Sequence, residues 1–337
     1  MQPKLPVGSA ERSRSLEVVH AVIIDHESLL LEDRPDPVPA EGQVLVATHF
    51  AGINAADLLQ RRGFYPSPPG WPADVPGMEL SGRVLEVGSG VDAALVGRRV
   101  CAIVGSGAQA TRALVPAAHL IDVPDTVTLD EAGGFAEAFI TAYDALVLQG
   151  RLERGQRLLV SGASGGVGSA AVQIGRLLGA HVTAVTRTPA HHQVLIDLGA
   201  NEVVSLEEVM KIAPVDVVLE LVGAAHLSLA QDRLASFARV VVIGVAGGGS
   251  RVDVNLLNFM RTRSTLTGST LRSRSDEEKA QVITHVRNAL DGPWRRREIK
   301  VPLAATFALA DVEEAYAFFA QPGKLGKVLL AMPDAPA

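Results

Sequence analysis

Leu158-Leu-Val-Ser-Gly-Ala-Ser-Gly-Gly-Val-Gly-Ser169 is the stretch that decides the fold. Its first residues are an apolar run that reads as a buried strand. Gly162-Ala-Ser-Gly165-Gly166-Val167-Gly168 follows as a turn, and Ser169-Ala-Ala-Val-Gln-Ile-Gly-Arg-Leu-Leu178 has the spacing of a packed helix. Strand, glycine turn and helix in that order build a cradle for a dinucleotide pyrophosphate. The glycines let the backbone approach the phosphates, and the helix N-terminus offers free N–H groups and a partial positive charge.

A second strand arrives on schedule at His181-Val-Thr-Ala-Val185. In such folds the residue after it reads the ribose, and an acidic residue there favours NAD. This chain has Thr186-Arg187-Thr188 instead. A guanidinium fork pairs with phosphate oxygens, and no carboxylate repels a 2′-phosphate. The expected cofactor is therefore NADPH. Arg187 and Thr186 are candidates for its ribose end, with His191 nearby as a further candidate. The plainer alternatives are a solvated arginine and a surface histidine.

Composition narrows the classes. The chain has 337 residues, room for two domains, and a net charge of −6. That balance offers nucleic acid or an anionic membrane surface no general attraction. The single cysteine, Cys101, excludes an intramolecular disulfide and a multi-cysteine metal site. A reducing cytoplasm is the expected compartment. No segment has the length of a membrane span. Residues 1–15 are polar and broken by prolines, and are expected to form a flexible tail.

From 16 to about 125, short apolar runs such as Val18–Ile24 and Gln43–Thr48 alternate with Pro, Gly and Asp turns, which reads as β structure. A helix start is expected at Thr128-Leu-Asp-Glu131. Strands are then expected at 157–161, 181–185, 202–204, 215–220, 239–243 and 265–271, alternating with helices. Several are wholly apolar, as strands buried on both faces of a parallel sheet must be. The fold class is therefore α/β, a doubly wound parallel sheet beside a β-rich domain. Further on, Asp276–Leu290 reads as an amphipathic helix. Thr306–Leu309 and Gly326–Ala331 read as strands flanking a helix whose cap position holds Asp311. These last strands have no place in the cofactor sheet and are expected to return to the first domain, making it discontinuous. The expected division is 16–126 with 291–337, and 127–290.

Several blocks in order resemble the medium-chain dehydrogenase/reductase superfamily, and within it the zinc-independent quinone oxidoreductases. They are Gly52-Ile-Asn54-Ala-Ala-Asp57, Arg61-Arg-Gly63-Phe-Tyr65-Pro, Pro76-Gly77-Met-Glu79-Leu-Ser-Gly82, the glycine loop, Leu198-Gly-Ala200, Gly244 with Gly247-Gly-Gly249, Gly268–Arg274 and Gly326-Lys327. The arginine and glycine of Gln60–Gly63 and the Leu271-Arg-Ser-Arg274 block resemble the tumour-suppressor-induced branch. Leu59 stands where zeta-crystallin-type members have a second tyrosine. The resemblance implies a GroES-like domain plus a Rossmann domain, a cleft active site between them, and a homodimer paired through the strand near 264–271. It also implies that Asn54, Thr141, Ser269 and Leu271 line the nicotinamide end and that Lys327 belongs to the cofactor site. Val222, Gly223, Gly244 and Val245 end two expected strands, at the carboxyl edge where cofactors bind.

Zinc is not expected. In zinc-dependent relatives the ligand cysteine corresponds to about Asn54 and the ligand histidine to Met78, and nothing here replaces them. Without a Lewis acid, reduction of an electron-poor acceptor is favoured over alcohol oxidation. The candidate catalytic residues are Asn54 and Tyr65. A phenol at the cleft can stabilise charge on a carbonyl oxygen as hydride arrives; a turn asparagine and a tyrosine packed on a proline-rich loop are the bland alternatives. Glu79 and Asp57 are expected to order their loops. The arginines 261, 263, 272 and 274 are expected on a solvated face or a subunit contact rather than as a nucleic-acid patch. The expected activity is NADPH-dependent reduction of quinones or enones. A pathway-specific enoyl reductase and a non-catalytic, crystallin-like NADPH-binding protein remain open.

Overall fold

The computed structural model describes residues 18–245, 247 and 249–333. The tail expected at 1–15 lies outside the described residues. The chain opens with an antiparallel hairpin of β1 (Val19–Asp25) and β2 (Ser28–Arg34). Then come β3 (Gln43–Ile53), α1 (Ala55–Arg61), β4 (Glu79–Val87), β5 (Arg99–Ile103), β6 (Arg112–Pro116) and β7 (Leu120–Asp122). β3 is the spine of this domain: it pairs antiparallel with β4 and with β6, and its far end reaches Ile53, next to the candidate Asn54.

The helix expected from Thr128 is two helices, α2 (Leu129–Gly133) and α3 (Ala136–Tyr143), continued by a π-helical turn at Asp144–Gln149. The break has a steric cause. A Cβ on Gly134 would lie 2.8 Å from Cγ of Lys327, so the chain thins there to let that side chain pass.

The second sheet is built from β8 (Arg157–Val160), α4 (Gly166–Leu177), β9 (His181–Val185), α5 (His192–Leu198), β10 (Glu202–Val204), β11 (Val215–Glu220), α6 (Ala224–Ala230), β12 (Leu234–Val242), α7 (Leu256–Thr262) and β13 (Thr265–Gly268). Its spatial order is β10-β9-β8-β11-β12-β13, all parallel. The first strand in sequence, β8, therefore lies between β9 and β11. The connections leave β8 in opposite directions, which opens a crevice at the carboxyl ends of β8 and β11, where such sheets bind ligands. Leu158 and Val160 face one core and Leu159 the other, which explains why the run lacks polar alternation.

α8 (Asp276–Arg295) follows, closed at its start by a capping box of Ser275 and Glu278. It runs without interruption past residue 290, and Trp294 near its end stacks on Phe135 at 3.8 Å. We place the return to the first domain after Arg295. There β14 (Leu303–Ala308) pairs parallel with β15 (Lys327–Ala331), and β15 pairs antiparallel with β3, Val328 opposite Ile53. α9 (Val312–Ala320) lies between them. Asp311 stands at its cap position, yet its carboxylate caps nothing. The architecture is thus a GroES-like β domain, completed by the C-terminal strands, beside a Rossmann sheet.

Candidate active site

Gly162 closes the turn after β8 with a φ of +59°, and its carbonyl accepts from the N–H of Gly165 at 3.0 Å. Gly165 is the N-cap of α4 and exposed. The next N–H groups, of Gly166, Val167 and Gly168, belong to the first turn and have no partner within the helix. A Cβ on Gly168 would stand 2.3 Å from the Gly162 oxygen and 2.7 Å from Cα of Ala163. Only glycine lets the helix start this close to the strand. The cradle therefore fits a pyrophosphate in shape and in donor set.

At the end of β9, Thr186 is buried and Arg187 exposed. Ser164 Oγ lies 2.8 Å from Thr186 Oγ1 and 2.9 Å from His191 Nδ1, so loop, strand end and helix entry share one chain of polar groups. Ser164 was missed from sequence, where its position inside the glycine loop was the available signal. Arg187 has no acidic partner among the described residues. Burial first and the charge of Arg187 second hold the imidazole of His226 below its ordinary value.

Glu220 ends β11 fully buried, and sequence reasoning missed it too. Its Oε1 accepts from Ser161 Oγ at 2.9 Å and from the N–H groups of Val222 and Gly223 at 2.6 and 2.7 Å. Its Oε2 is buried without a hydrogen-bond partner, and burial raises the carboxyl above its ordinary value. The acid thus shapes the Val222-Gly223 turn, where Gly223 takes a φ of +122°. An acidic residue closing an apolar strand was the signal for it.

A cavity of about 300 Å³ opens at the carboxyl ends of β12 and β13, lined by Val242, Ile243, Gly244, Val245, Gly268, Ser269 and Thr270. The segment after β13 is fixed at both ends. Ser269 Oγ donates to Asp144 Oδ2 at 2.8 Å, and Arg274 grips the same carboxylate with two bonds of 3.0 and 2.7 Å. Leu271 is buried. Thr270 Oγ1 lies 3.1 Å from the hydroxyl of Tyr65, which reaches over from the first domain. Arg272 crosses the other way and is 7% exposed.

These contacts correct the expectation for the arginines. Arg272 and Arg274 are interior hydrogen-bonding groups, not a solvated face, because the loop carrying them lies between the two domains. Arg263, by contrast, stacks on exposed Phe237 at 3.8 Å, and Arg261 bonds only Asn258.

Below Tyr65 is a buried polar cluster. The Asn54 amide donates to Glu79 Oε1 at 3.1 Å, and its oxygen accepts from the Lys327 ammonium at 2.6 Å. That ammonium also lies 2.5 Å from Glu79 Oε1 and bonds the Ile53 carbonyl. Glu79 Oε2 accepts from the Glu137 N–H, and Thr141 Oγ1 donates to Glu137 Oε1. Asp57 accepts from the N–H groups of Asn54 and Gly77. Burial pushes the Asp57 carboxyl up to about 6. Burial and the nearby Glu79 charge push Glu137 up to about 7. The aliphatic stem of Lys327 lies against α4, where a Cβ on Gly166 would stand 2.5 Å from its Cδ. Asn54, Thr141 and Lys327 therefore lie together, while Arg187 and His191 lie at the other end of the glycine loop.

Among the described residues no group of three His, Cys, Asp or Glu is placed to hold a metal ion, and no helix is long and apolar enough to cross a membrane. Residues 40–148 match the alcohol dehydrogenase GroES-like domain family, and residues 166–287 the family described as zinc-binding dehydrogenase. A quinone oxidoreductase of Lama guanicoe is 30% identical over 314 residues, 90% of this chain and 93% of that protein. The synaptic vesicle membrane protein VAT-1 homolog of Rattus norvegicus is 33% identical over 247 residues, 70% of this chain; the match spans only 61% of that longer protein. The quinone oxidoreductase of Thermus thermophilus, whose structure was solved alone and with NADPH, superposes with a TM-score of 0.79 at 30% identity, over 93% of this chain and 99% of that one. The chain therefore belongs to the quinone oxidoreductase-like members of the medium-chain dehydrogenase/reductase superfamily.

Proposed function

We propose that the protein is an NADPH-dependent, zinc-independent reductase of quinones or related enones. The observation that carries this reading is the Tyr65 hydroxyl, held by Thr270 at the rim of the cavity formed by β12 and β13. A bound nicotinamide would supply hydride there. The protein's part is placement. Gly162, Gly165, Gly166, Val167 and Gly168 take the pyrophosphate, and Arg187, with Thr186 and His191 beside it, takes the 2′-phosphate. Val222, Gly223, Gly244, Val245, Ser269 and Leu271 wall the nicotinamide half. Asn54 and Thr141 line its inner end, and Lys327 supports them. Tyr65 offers its O–H to the acceptor's oxygen, where it stabilises developing negative charge, and water or the phenol delivers the proton.

A metal has no task in this arrangement. Where relatives hold zinc, the Lys327 ammonium already satisfies Asn54 and Glu79. We further propose a homodimer paired through β13, the free edge of the parallel sheet. Leu266 on β13 and Leu256, Leu257 and Met260 on α7 are exposed beside that edge.

The test is NADPH oxidation against ortho- and para-quinones and simple enones, with NADH in parallel. NADPH-selective turnover of quinones supports the reading. Turnover of a single enone would point to a pathway-specific enoyl reductase, and tight NADPH binding without turnover to a non-catalytic role.

A further inference from the structure

We propose that Arg272 is a positioning residue: a latch from the cofactor-domain loop that anchors in the β domain and sets Tyr65 over the cavity. The inference rests on the reading of Tyr65 given above. The guanidinium makes three polar contacts, and all three lie across the cleft. Nε donates to the carbonyl of Gly105 at 2.9 Å, Nη1 to the carbonyl of Tyr65 at 3.1 Å, and Nη2 to Oε1 of Gln60 at 2.5 Å. The guanidinium carbon also lies 4.8 Å from the centre of the Tyr65 ring.

Gln60 is itself held, by Ser106 Oγ at 3.0 Å, and Ser106 by the Val75 carbonyl at 2.6 Å. The acceptors thus come from α1, the Tyr65 loop and the segment after β5, three pieces of chain that meet at this side chain.

Arginine suits the task. Its five donors point outward in one plane, so a single rigid group bridges three acceptors in different directions. A lysine presents one nitrogen and cannot span them. None of the three acceptors is a carboxylate, so charge pairing does not explain the placement. Burying an arginine among neutral oxygens is costly unless each donor is placed. What the contacts achieve is registration. Thr270 bonds the Tyr65 hydroxyl, and two residues later Arg272 bonds the Tyr65 carbonyl and covers its ring. The phenol is held at both ends by one short segment of the opposite domain. Arg274 and Asp144 fix that segment to its own domain. Movement of one domain against the other therefore carries Tyr65 with it or breaks these bonds.

The test uses the full-length protein with and without NADPH, in Arg272→Met and Arg272→Lys. Two readouts are taken: amide hydrogen exchange of 60–66 and 104–107, and a double-mutant cycle with Tyr65→Phe in steady-state turnover. The expected result is faster exchange in both segments in Arg272→Met, about tenfold lower kcat, and an NADPH Kd changed by less than about threefold. Tyr65→Phe then costs nothing further in the Arg272→Met background, because the phenol is already misplaced. A residue that merely supports the fold would give multiplying effects instead. If Arg272→Met does not fold, Arg272→Lys must show the same changes in smaller measure. Unchanged exchange, or costs that multiply, overturns the latch. Faster exchange in a protein that reduces no quinone supports the latch and refutes the activity reading.

Discussion

Replacing Glu137 by glutamine should stabilise this protein, and only at neutral to alkaline pH. The carboxyl is pushed up from 4.5 to about 7 by burial and then by the Glu79 charge. The folded state therefore holds the proton more tightly than the unfolded chain does. Stability from that proton is fully present below pH 4.5 and is lost as pH rises through about 7. A displacement of about 2.5, at about 1.36 kcal/mol per pH unit, amounts to about 3 kcal/mol lost by about pH 8.5. At about pH 5 the same linkage gives less than about 1 kcal/mol. Glutamine is neutral throughout, and its amide oxygen can still accept from Thr141, as Glu137 Oε1 does at 3.4 Å. Urea unfolding of both proteins at about pH 5 and about pH 8.5 measures the difference. Glu137→Gln should gain about 2 to 3 kcal/mol over the native chain at the higher pH and little at the lower. Equal stability at both values, or a loss at the higher one, would show that Lys327 neutralises Glu137 and that the burial argument is wrong.

Other consequences are as direct. Arg187→Glu should raise the NADPH KM by about tenfold or more while leaving NADH use intact, since a carboxylate repels the 2′-phosphate; an unchanged cofactor preference refutes the assignment. Gly168→Ala forces a methyl to within 2.3 Å of the Gly162 oxygen, so nucleotide fluorescence titration should show NADPH binding weakened by about tenfold or more. Arg274→Met strands Asp144, whose side chain is 1% exposed, and should cost about 3 to 5 kcal/mol in urea unfolding; Asp144→Asn in the same chain should recover part of that.

The Rossmann half was legible because its signals are local. A strand buried on both faces is an apolar run, and the turn after it must be glycine-rich for the helix to start where it does. The expected strands at 181–185, 202–204 and 215–220 coincide with β9, β10 and β11. The misreadings have a different physical origin. Arg272 and Gln60 stand 212 residues apart in the chain, and Arg274 and Asp144 130 apart. A run of arginines looks solvated until the fold brings its acceptors, and no local pattern announces a Gly105 carbonyl. Ser164 and Glu220 were overlooked for a related reason. Their value lies in hydrogen bonds to backbone and hydroxyl groups on neighbouring strands, which sequence spacing does not encode.

Lys327 shows how the two halves of the site depend on each other. Three carboxyls, those of Asp57, Glu79 and Glu137, gather around one ammonium, which would be untenable if all were charged. With Asp57 near 6 and Glu137 near 7, the cluster sheds much of its negative charge around neutral pH. Lys327 can then pair with Glu79 at 2.5 Å and still hold the Asn54 oxygen. Its stem meanwhile fills the space left by Gly134 and Gly166, so the same side chain packs against the start of the phosphate-binding helix. A change at this lysine would therefore reach the cofactor by two routes: the orientation of Asn54 at the nicotinamide end and the seat of α4 at the phosphate end. Its ammonium is taken up by Asn54, Glu79 and the Ile53 carbonyl, so the effect on NADPH would come from shape rather than from a direct charge on phosphate.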